Sequence, residues 1–116
     1  MTFHALVAHE DRVGFEELSD DDLPKHALTV DVAYSSVNYK DALAVTRRGR
    51  IVRRFPMVLG IDLAGTVTAS EDPEFPVGTQ IVGNGQGFGE SEWGGYAKRA
   101  RVKGESIVAL PAGMTL

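Results

Sequence analysis

Cysteine is absent from this 116-residue chain. That removes disulfides, thiolate catalysis and every cysteine-ligated zinc or iron–sulfur site at once. Histidine is scarce, with His4, His9 and His26 the only three. His4 falls in an apolar, strand-like run, while His9 and His26 neighbour turn and charged residues. None has a second histidine at i+4 or a carboxylate cluster behind it, so no metal site is expected. No apolar run approaches the length that spans a bilayer. The first residues lack the basic stretch and long apolar core of a signal peptide. Positive charge is in deficit: 12 Lys and Arg against 16 Asp and Glu leave a net charge of −4, which argues against a nucleic-acid binder. A cytoplasmic protein bound neither to membrane nor to nucleic acid is the expectation.

What remains is ordinary globular material. The length fits one domain near the small end of the range, and a hydrophobic fraction of 43% supplies a core. The charge is unevenly spread. Residues Glu10 to Asp22 are acidic, and Arg47, Arg48, Arg50, Arg53 and Arg54 form the one basic cluster. That cluster reads either as a solvated loop face or as an anion site, because arginine forks match phosphate oxygens.

Phe3 to Ala8 and Val13 to Leu18 read as a hairpin turning at His9 to Arg12. Leu28, Val30, Val32 and Tyr34 alternate with Thr29, Asp31, Ala33 and Ser35, the period-2 pattern of a half-buried strand. Tyr39, Ala42, Leu43 and Thr46 then follow helical spacing, predicting a short helix from Tyr39 to Val45 capped by Ser36 or Asn38. Leu63 to Ala69, Thr79 to Val82, Gly95 to Val102 and Ser106 to Leu110 read as further strands. Six or seven short strands with little helix predict a mainly β sandwich or small barrel.

Gly83-Asn84-Gly85-Gln86-Gly87-Phe88-Gly89 invites a nucleotide-binding reading but fails on context. A dinucleotide fingerprint leaves a strand and opens a helix. Here Glu90, Glu92 and a strand-like run follow instead. The expectation is a flexible or cleft-lining loop.

Three stretches go beyond composition: Ser35-Ser36-Val37-Asn38-Tyr39-Lys40-Asp41, then Arg54-Phe55-Pro56-Met57-Val58-Leu59-Gly60-Ile61-Asp62-Leu63-Ala64-Gly65, then Trp93-Gly94-Gly95-Tyr96-Ala97 with the closing Val108-Ala109-Leu110-Pro111. Their order and spacing resemble the medium-chain dehydrogenase/reductase superfamily. Within it they look most like the acryloyl-CoA reductase branch of the zinc-free quinone oxidoreductase group. The resemblance runs from Leu28 onward. It implies a GroES-like, partly open antiparallel β-barrel with one or two short helices over residues 1–116, and a dinucleotide-binding domain absent from this chain. Zinc-dependent relatives carry a cysteine before the short helix and Gly-His-Glu at the second motif. At the matching positions stand Asn38, Ile61 and Asp62, and an amide and an alkyl group do not replace a thiolate and an imidazole as ligands.

The resemblance therefore implies zinc-free chemistry, with NADPH as cofactor and an activated alkene as substrate. Tyr39 is the first candidate, placed where family members reach the cofactor, with a phenol that can donate to a phosphate or enolate oxygen. It reads alternatively as an aromatic anchoring the short helix to the barrel. Asn38 is a candidate for substrate contact or a helix cap, and Asp62 for a hydrogen-bond network in the cleft or a buried structural carboxylate. Trp93 reads as a wall of the substrate pocket or as packing. Arg50 and Arg53 are candidates for the phosphates of coenzyme A. Asp41 is expected to orient backbone or Lys40, and Lys40 to face solvent.

The function implied is the catalytic-domain portion of an NADPH-dependent reductase acting on acryloyl-CoA or a similar enoyl thioester. A quinone or enone reductase domain and a stand-alone, non-catalytic binding module are the alternatives. Without a βαβ unit in these residues, the isolated chain is expected to hold NADPH weakly and to be inactive. An apolar face where a partner domain would pack is expected to cause self-association.

Overall fold

A computed structural model describes residues 2–116. In chain order these form β1 (Thr2–Ala8), β2 (Val13–Ser19), β3 (Leu28–Tyr34), α1 (Tyr39–Thr46), β4 (Met57–Val58), β5 (Asp62–Ser70), β6 (Gln80–Asn84), β7 (Arg99–Val102) and β8 (Val108–Ala109). All pairings between these strands are antiparallel. A three-stranded sheet runs β2-β1-β4, and a five-stranded sheet runs β7-β3-β5-β6-β8.

The opening hairpin forms as the pattern requires. β1 pairs with β2 from Thr2 opposite Ser19 to Ala8 opposite Val13, and the His9 N–H closes the turn on the Arg12 carbonyl at 2.7 Å. Alternation along β1 sends Phe3, Ala5 and Val7 into one apolar cluster with Leu23 and Val58. β4 is only two residues long, and both are buried. A period cannot be read from so short a run; pairing to the edge of β1 defines this strand.

In β3, Leu28 and Val30 are fully buried against Leu63 and Val67 of β5. The alternation does not persist to the end. The β3–β5 register shifts between Val32 and Tyr34, and Tyr34 comes out exposed. A bulge adds twist and re-aims the side chains beyond it, so the last turn of this strand leaves the core and borders an open cleft.

The strand expected over Gly95 to Val102 is divided. Residues 95–98 lie across the gap between the two sheets. The Tyr96 carbonyl accepts from Leu6 N–H at 2.8 Å, and the Lys98 carbonyl accepts from Val32 N–H at 2.9 Å. One segment thus stitches β1 to β3, and β7 begins only at Arg99. The result is a barrel closed along this side and open elsewhere. Ser106 to Leu110 likewise shrinks, with a short 3-10 turn over Gly104–Ser106 ahead of β8.

The glycine loop is packed through Phe88, and Asn84 near its start borders a shallow recess, in keeping with the cleft-lining alternative of the expectation. Phe88 is buried in the main core, and a side chain at Gly83 would stand 2.7 Å from its ring. The N–H groups of Phe88, Gly89, Glu90, Ser91 and Glu92 all bond to carbonyls within residues 85–92. Amides used in this way are not presented to a phosphate.

Candidate active site

The carboxylate of Asp41 organises the start of α1. It is 1% exposed and accepts from the Asn38 N–H at 3.0 Å, the Asn38 side-chain amide at 3.0 Å and the Ile61 N–H at 2.9 Å. A carboxylate in the first helical turn suits the orphan N–H groups and the positive end of the helix dipole. Here it also fastens the helix to the strand entry that carries Asp62. Asp41 orients backbone, as expected; Lys40 is exposed and reaches Glu90 at 3.3 Å.

Asn38 is the N-cap residue, and its amide does more than cap. Its Nδ2 lies 3.1 Å from Ser36 Oγ and 3.4 Å from Asp62 Oδ2. Ser36 Oγ donates to Asp62 Oδ2 at 2.6 Å, and Ser35 Oγ donates to the Asp62 carbonyl at 2.8 Å. The loop ahead of α1 and the start of β5, far apart in sequence, are therefore joined through one residue. Each amide hydrogen of Asn38 already has a neighbour, which makes this residue a cross-link.

Gly60 and Tyr96 complete the arrangement. Gly60 has φ of +101°, and a Cβ there would meet the Tyr96 ring and backbone nitrogen at 2.8 Å, so only glycine fits. The Tyr96 hydroxyl donates to the Ser36 carbonyl at 2.8 Å. Burial, reinforced by the negative charges of Asp41 and Asp62, pushes the Tyr96 phenol up to about 12. It stays a neutral donor at any physiological pH.

Tyr39 stands apart from this web. It is 80% exposed, so it does not anchor the helix to the barrel. Among the described residues its hydroxyl has no hydrogen-bond partner. It is the free donor beside a cluster whose other donors are taken. The cluster borders two recesses that share Tyr34 and Ser35. One is a shallow cavity of about 160 Å³ reaching Asp62 and Asn84; the other is an apolar groove of about 440 Å³ lined by Leu6, Phe15, Val32 and Tyr96.

Asn38 and Asp62 are thus brought together, while Trp93, Arg50 and Arg53 are not brought to them. Trp93 packs against the apolar clusters that contain Val58 and Leu59, and its Nε1 donates to the Pro56 carbonyl at 3.0 Å. Arg50 lines a separate groove, and Arg53 is exposed, its N–H bonded to the Glu90 carbonyl. Ser36 and Tyr96 are members of the cluster that single-residue reasoning passed over. The adjacent hydroxyls at Ser35 and Ser36 beside a strand end, and a tyrosine after two glycines, were the available signals.

Two of the histidines have a single carboxylate neighbour each, short of the cluster a ligand set needs. His9 pairs with Glu16, and His26 with Glu92 at 3.1 Å. Each has one such neighbour rather than a ligand set, and among the described residues no cluster of three or more His, Asp or Glu side chains is placed to hold a metal. No helix of the described residues is long and apolar enough to cross a membrane.

A partly open antiparallel barrel, with a polar cluster at the head of its single described α-helix, defines a domain of the alcohol dehydrogenase type. The alcohol dehydrogenase GroES-like domain family matches residues 24–112, and the chain belongs to that family, within the medium-chain dehydrogenase/reductases. The probable acrylyl-CoA reductase AcuI of Escherichia coli is 54% identical over 99 residues, covering 85% of this chain and 31% of that protein. The yhdH oxidoreductase of Salmonella enterica, solved in complex with NADP, superposes with a TM-score of 0.87 at 50% identity, over 99% of this chain and 36% of its own. YhfP of Bacillus subtilis, a putative quinone oxidoreductase 42% identical over 118 residues, is solved with NAD bound. It superposes with a TM-score of 0.91 over 99% of this chain and 36% of its own. The chain spans about a third of the length of the curated relatives it matches.

Proposed function

We propose that this chain is the substrate-facing domain of a cytoplasmic, NADPH-dependent reductase that saturates an alkene conjugated to a thioester carbonyl, acryloyl-CoA or a similar enoyl thioester, without zinc. One observation carries the reading. Where zinc-dependent relatives have ligands, this chain has the amide of Asn38, the alkyl group of Ile61 and the carboxylate of Asp62, which Ser36 and Asn38 already engage. That donor set does not fit zinc. A conjugated alkene needs less help from a Lewis acid than an isolated ketone, because the negative charge spreads into the carbonyl as hydride adds.

Bound NADPH supplies that hydride. The wall this chain offers suits a flat ring bearing an amide, with Leu6, Val32, Tyr34 and Tyr96 along the groove and Ser35 at its edge. The Tyr39 hydroxyl, without a hydrogen-bond partner among the described residues, is free to donate to the enolate oxygen that develops on the thioester carbonyl. The Asp62–Ser36–Asn38 cross-link keeps the strand end and the helix start at fixed spacing, which holds the backbone from which the exposed Tyr39 side chain extends. These 116 residues alone present one wall and are expected to turn over nothing.

The test is NADPH oxidation by the full-length protein that carries this domain, with acryloyl-CoA, a simple quinone and an unconjugated ketone as substrates. We expect the thioester to be preferred, with a metal chelator making no difference. Preference for the ketone, or activity lost to the chelator and restored by zinc, would overturn the proposal. A quinone preference selects the second reading, a quinone or enone reductase using the same cleft, which the likeness to YhfP favours. Turnover of none of the three selects a non-catalytic binding module.

A further inference from the structure

Loop 47–54 carries five arginines, and among the described residues none of them forms an ion pair with a carboxylate. This is unexpected in a chain with 16 acidic and 12 basic side chains, where acids are in excess and pairing is available. Arg99, by contrast, meets both Asp20 and Asp31. The loop is nevertheless held at both ends. Arg47 caps α1 in the left-handed region at φ of 60°, and its guanidinium donates to the Glu10 carbonyl at 3.0 Å. Arg54 Nε donates to the Ser91 carbonyl at 2.7 Å, and the Arg53 N–H to the Glu90 carbonyl at 2.8 Å. Arg48, Arg50 and Arg53 keep free guanidinium groups on a fastened backbone.

Beside them runs a groove of about 320 Å³ with Ala8, Val13, Ala44, Val52 and Phe55 along it and Arg47 and Arg50 among its lining. Glu10 is the one carboxylate side chain that also lines it, and His9, the other titratable group there, is occupied by Glu16. An apolar trough with the free Arg50 guanidinium on its lining, in a loop that carries two further free guanidinium groups at Arg48 and Arg53, matches a ligand that is part greasy arm, part multiple phosphate. The groove lies at the end of α1 opposite Asn38 and Tyr39, and an eight-residue helix is about 12 Å long. An extended pantetheine arm is longer than that and can lie between the two places.

We propose that loop 47–54 and this groove seat the phosphorylated nucleotide end of a coenzyme A thioester, leaving the acyl end at the Tyr39 face. The proposal deepens, and rests on, the reading of the domain as part of an enoyl-thioester reductase. The same phosphate chemistry could come from the nicotinamide cofactor, so the test separates the two sources.

The first arm titrates the 116-residue chain with free coenzyme A and, separately, with NADP, following backbone amide shifts by NMR. Coenzyme A is expected to move amides in residues 8–13 and 44–55. Arg50→Glu should weaken that binding by about tenfold or more, from the loss of charge-assisted contacts to phosphate and the new repulsion. Lys25→Glu makes the same charge change at an exposed residue outside this groove and should alter it by less than about twofold. Shifts confined to other regions, no shifts at millimolar coenzyme A, equal effects of the two substitutions, or NADP moving the same amides at lower concentration would each overturn the site. The second arm compares, in the full-length protein, the enoyl thioester of coenzyme A with that of N-acetylcysteamine, which lacks the nucleotide. A KM advantage of the coenzyme A form that collapses in Arg50→Glu supports the seat, and no advantage overturns it. If neither thioester is reduced, the reductase reading falls while the titration still decides the binding site.

Discussion

Tyr96 links three parts of the candidate site, with its ring over Gly60, its hydroxyl on the Ser36 carbonyl and its phenol near Asp41 and Asp62. Its proton is held more tightly in the folded chain than in the unfolded one, where the value is near 10. Below pH 10 both states are protonated and the contribution is constant. Between pH 10 and about 12 the unfolded state loses the proton first, so stability falls as pH rises through that window. Thermal melting of Tyr96→Phe should lose less over this interval than the parent chain does. Identical slopes for the two proteins would refute the assignment. Tyr39 is the contrasting tyrosine, exposed and without a partner. In a full-length protein carrying this domain and acting as the proposed reductase, Tyr39→Phe should lower kcat for the enoyl thioester roughly ten- to a hundredfold, somewhat less than a preorganised oxyanion donor costs, with KM little changed. Steady-state kinetics showing a change in KM alone would assign Tyr39 to binding instead.

At the scale of elements, α1 matters for what its first turn ties together. Asp41→Ala removes a buried carboxylate and leaves the Asn38 and Ile61 N–H groups without their partner. The expected loss is about 3 kcal/mol, read from denaturant unfolding, because stranded buried donors cost more than the average hydrogen bond. A loss below about 1 kcal/mol would mean that water replaces the carboxylate freely. The helix itself was legible in sequence to within one residue, since its spacing and its Asn38 cap are local signals. The hairpin and the first half of β3 were legible for the same reason. What escaped depends on distant partners. β4 exists through its pairing with β1, and residues 95–98 are diverted between sheets by bonds to Leu6 and Val32. The glycine loop packs on the core because Gly83 leaves room for Phe88. The site divides in the same way. Asn38 and Asp62 were legible through resemblance to a family pattern, whereas Ser36 and Tyr96 meet across 60 positions of sequence. No local pattern encodes that contact.

For the molecule as a whole, the open side of the barrel sets the behaviour in solution. Phe15, Tyr34, Val37 and Tyr39 are 61–82% exposed, and Phe15 and Tyr34 both line the groove of about 440 Å³. Large exposed apolar side chains such as these seek cover, at roughly 25 cal/mol per Å² of apolar surface removed from water. The charge does little to prevent it, since a net of −4 spread over 116 residues is modest repulsion and is screened beyond about 8 Å at physiological salt. The 116-residue chain should therefore self-associate through this face as its concentration rises. Light scattering should report a weight-average mass climbing above the 12.5 kDa of one chain. Because the driving force is apolar, added salt should leave the association intact or strengthen it. Phe15→Ser should weaken it without unfolding the chain, as this side chain contributes little to the core. A mass that stays at 12.5 kDa at high concentration, or an association that salt abolishes, would show that the open face is stable in water by itself.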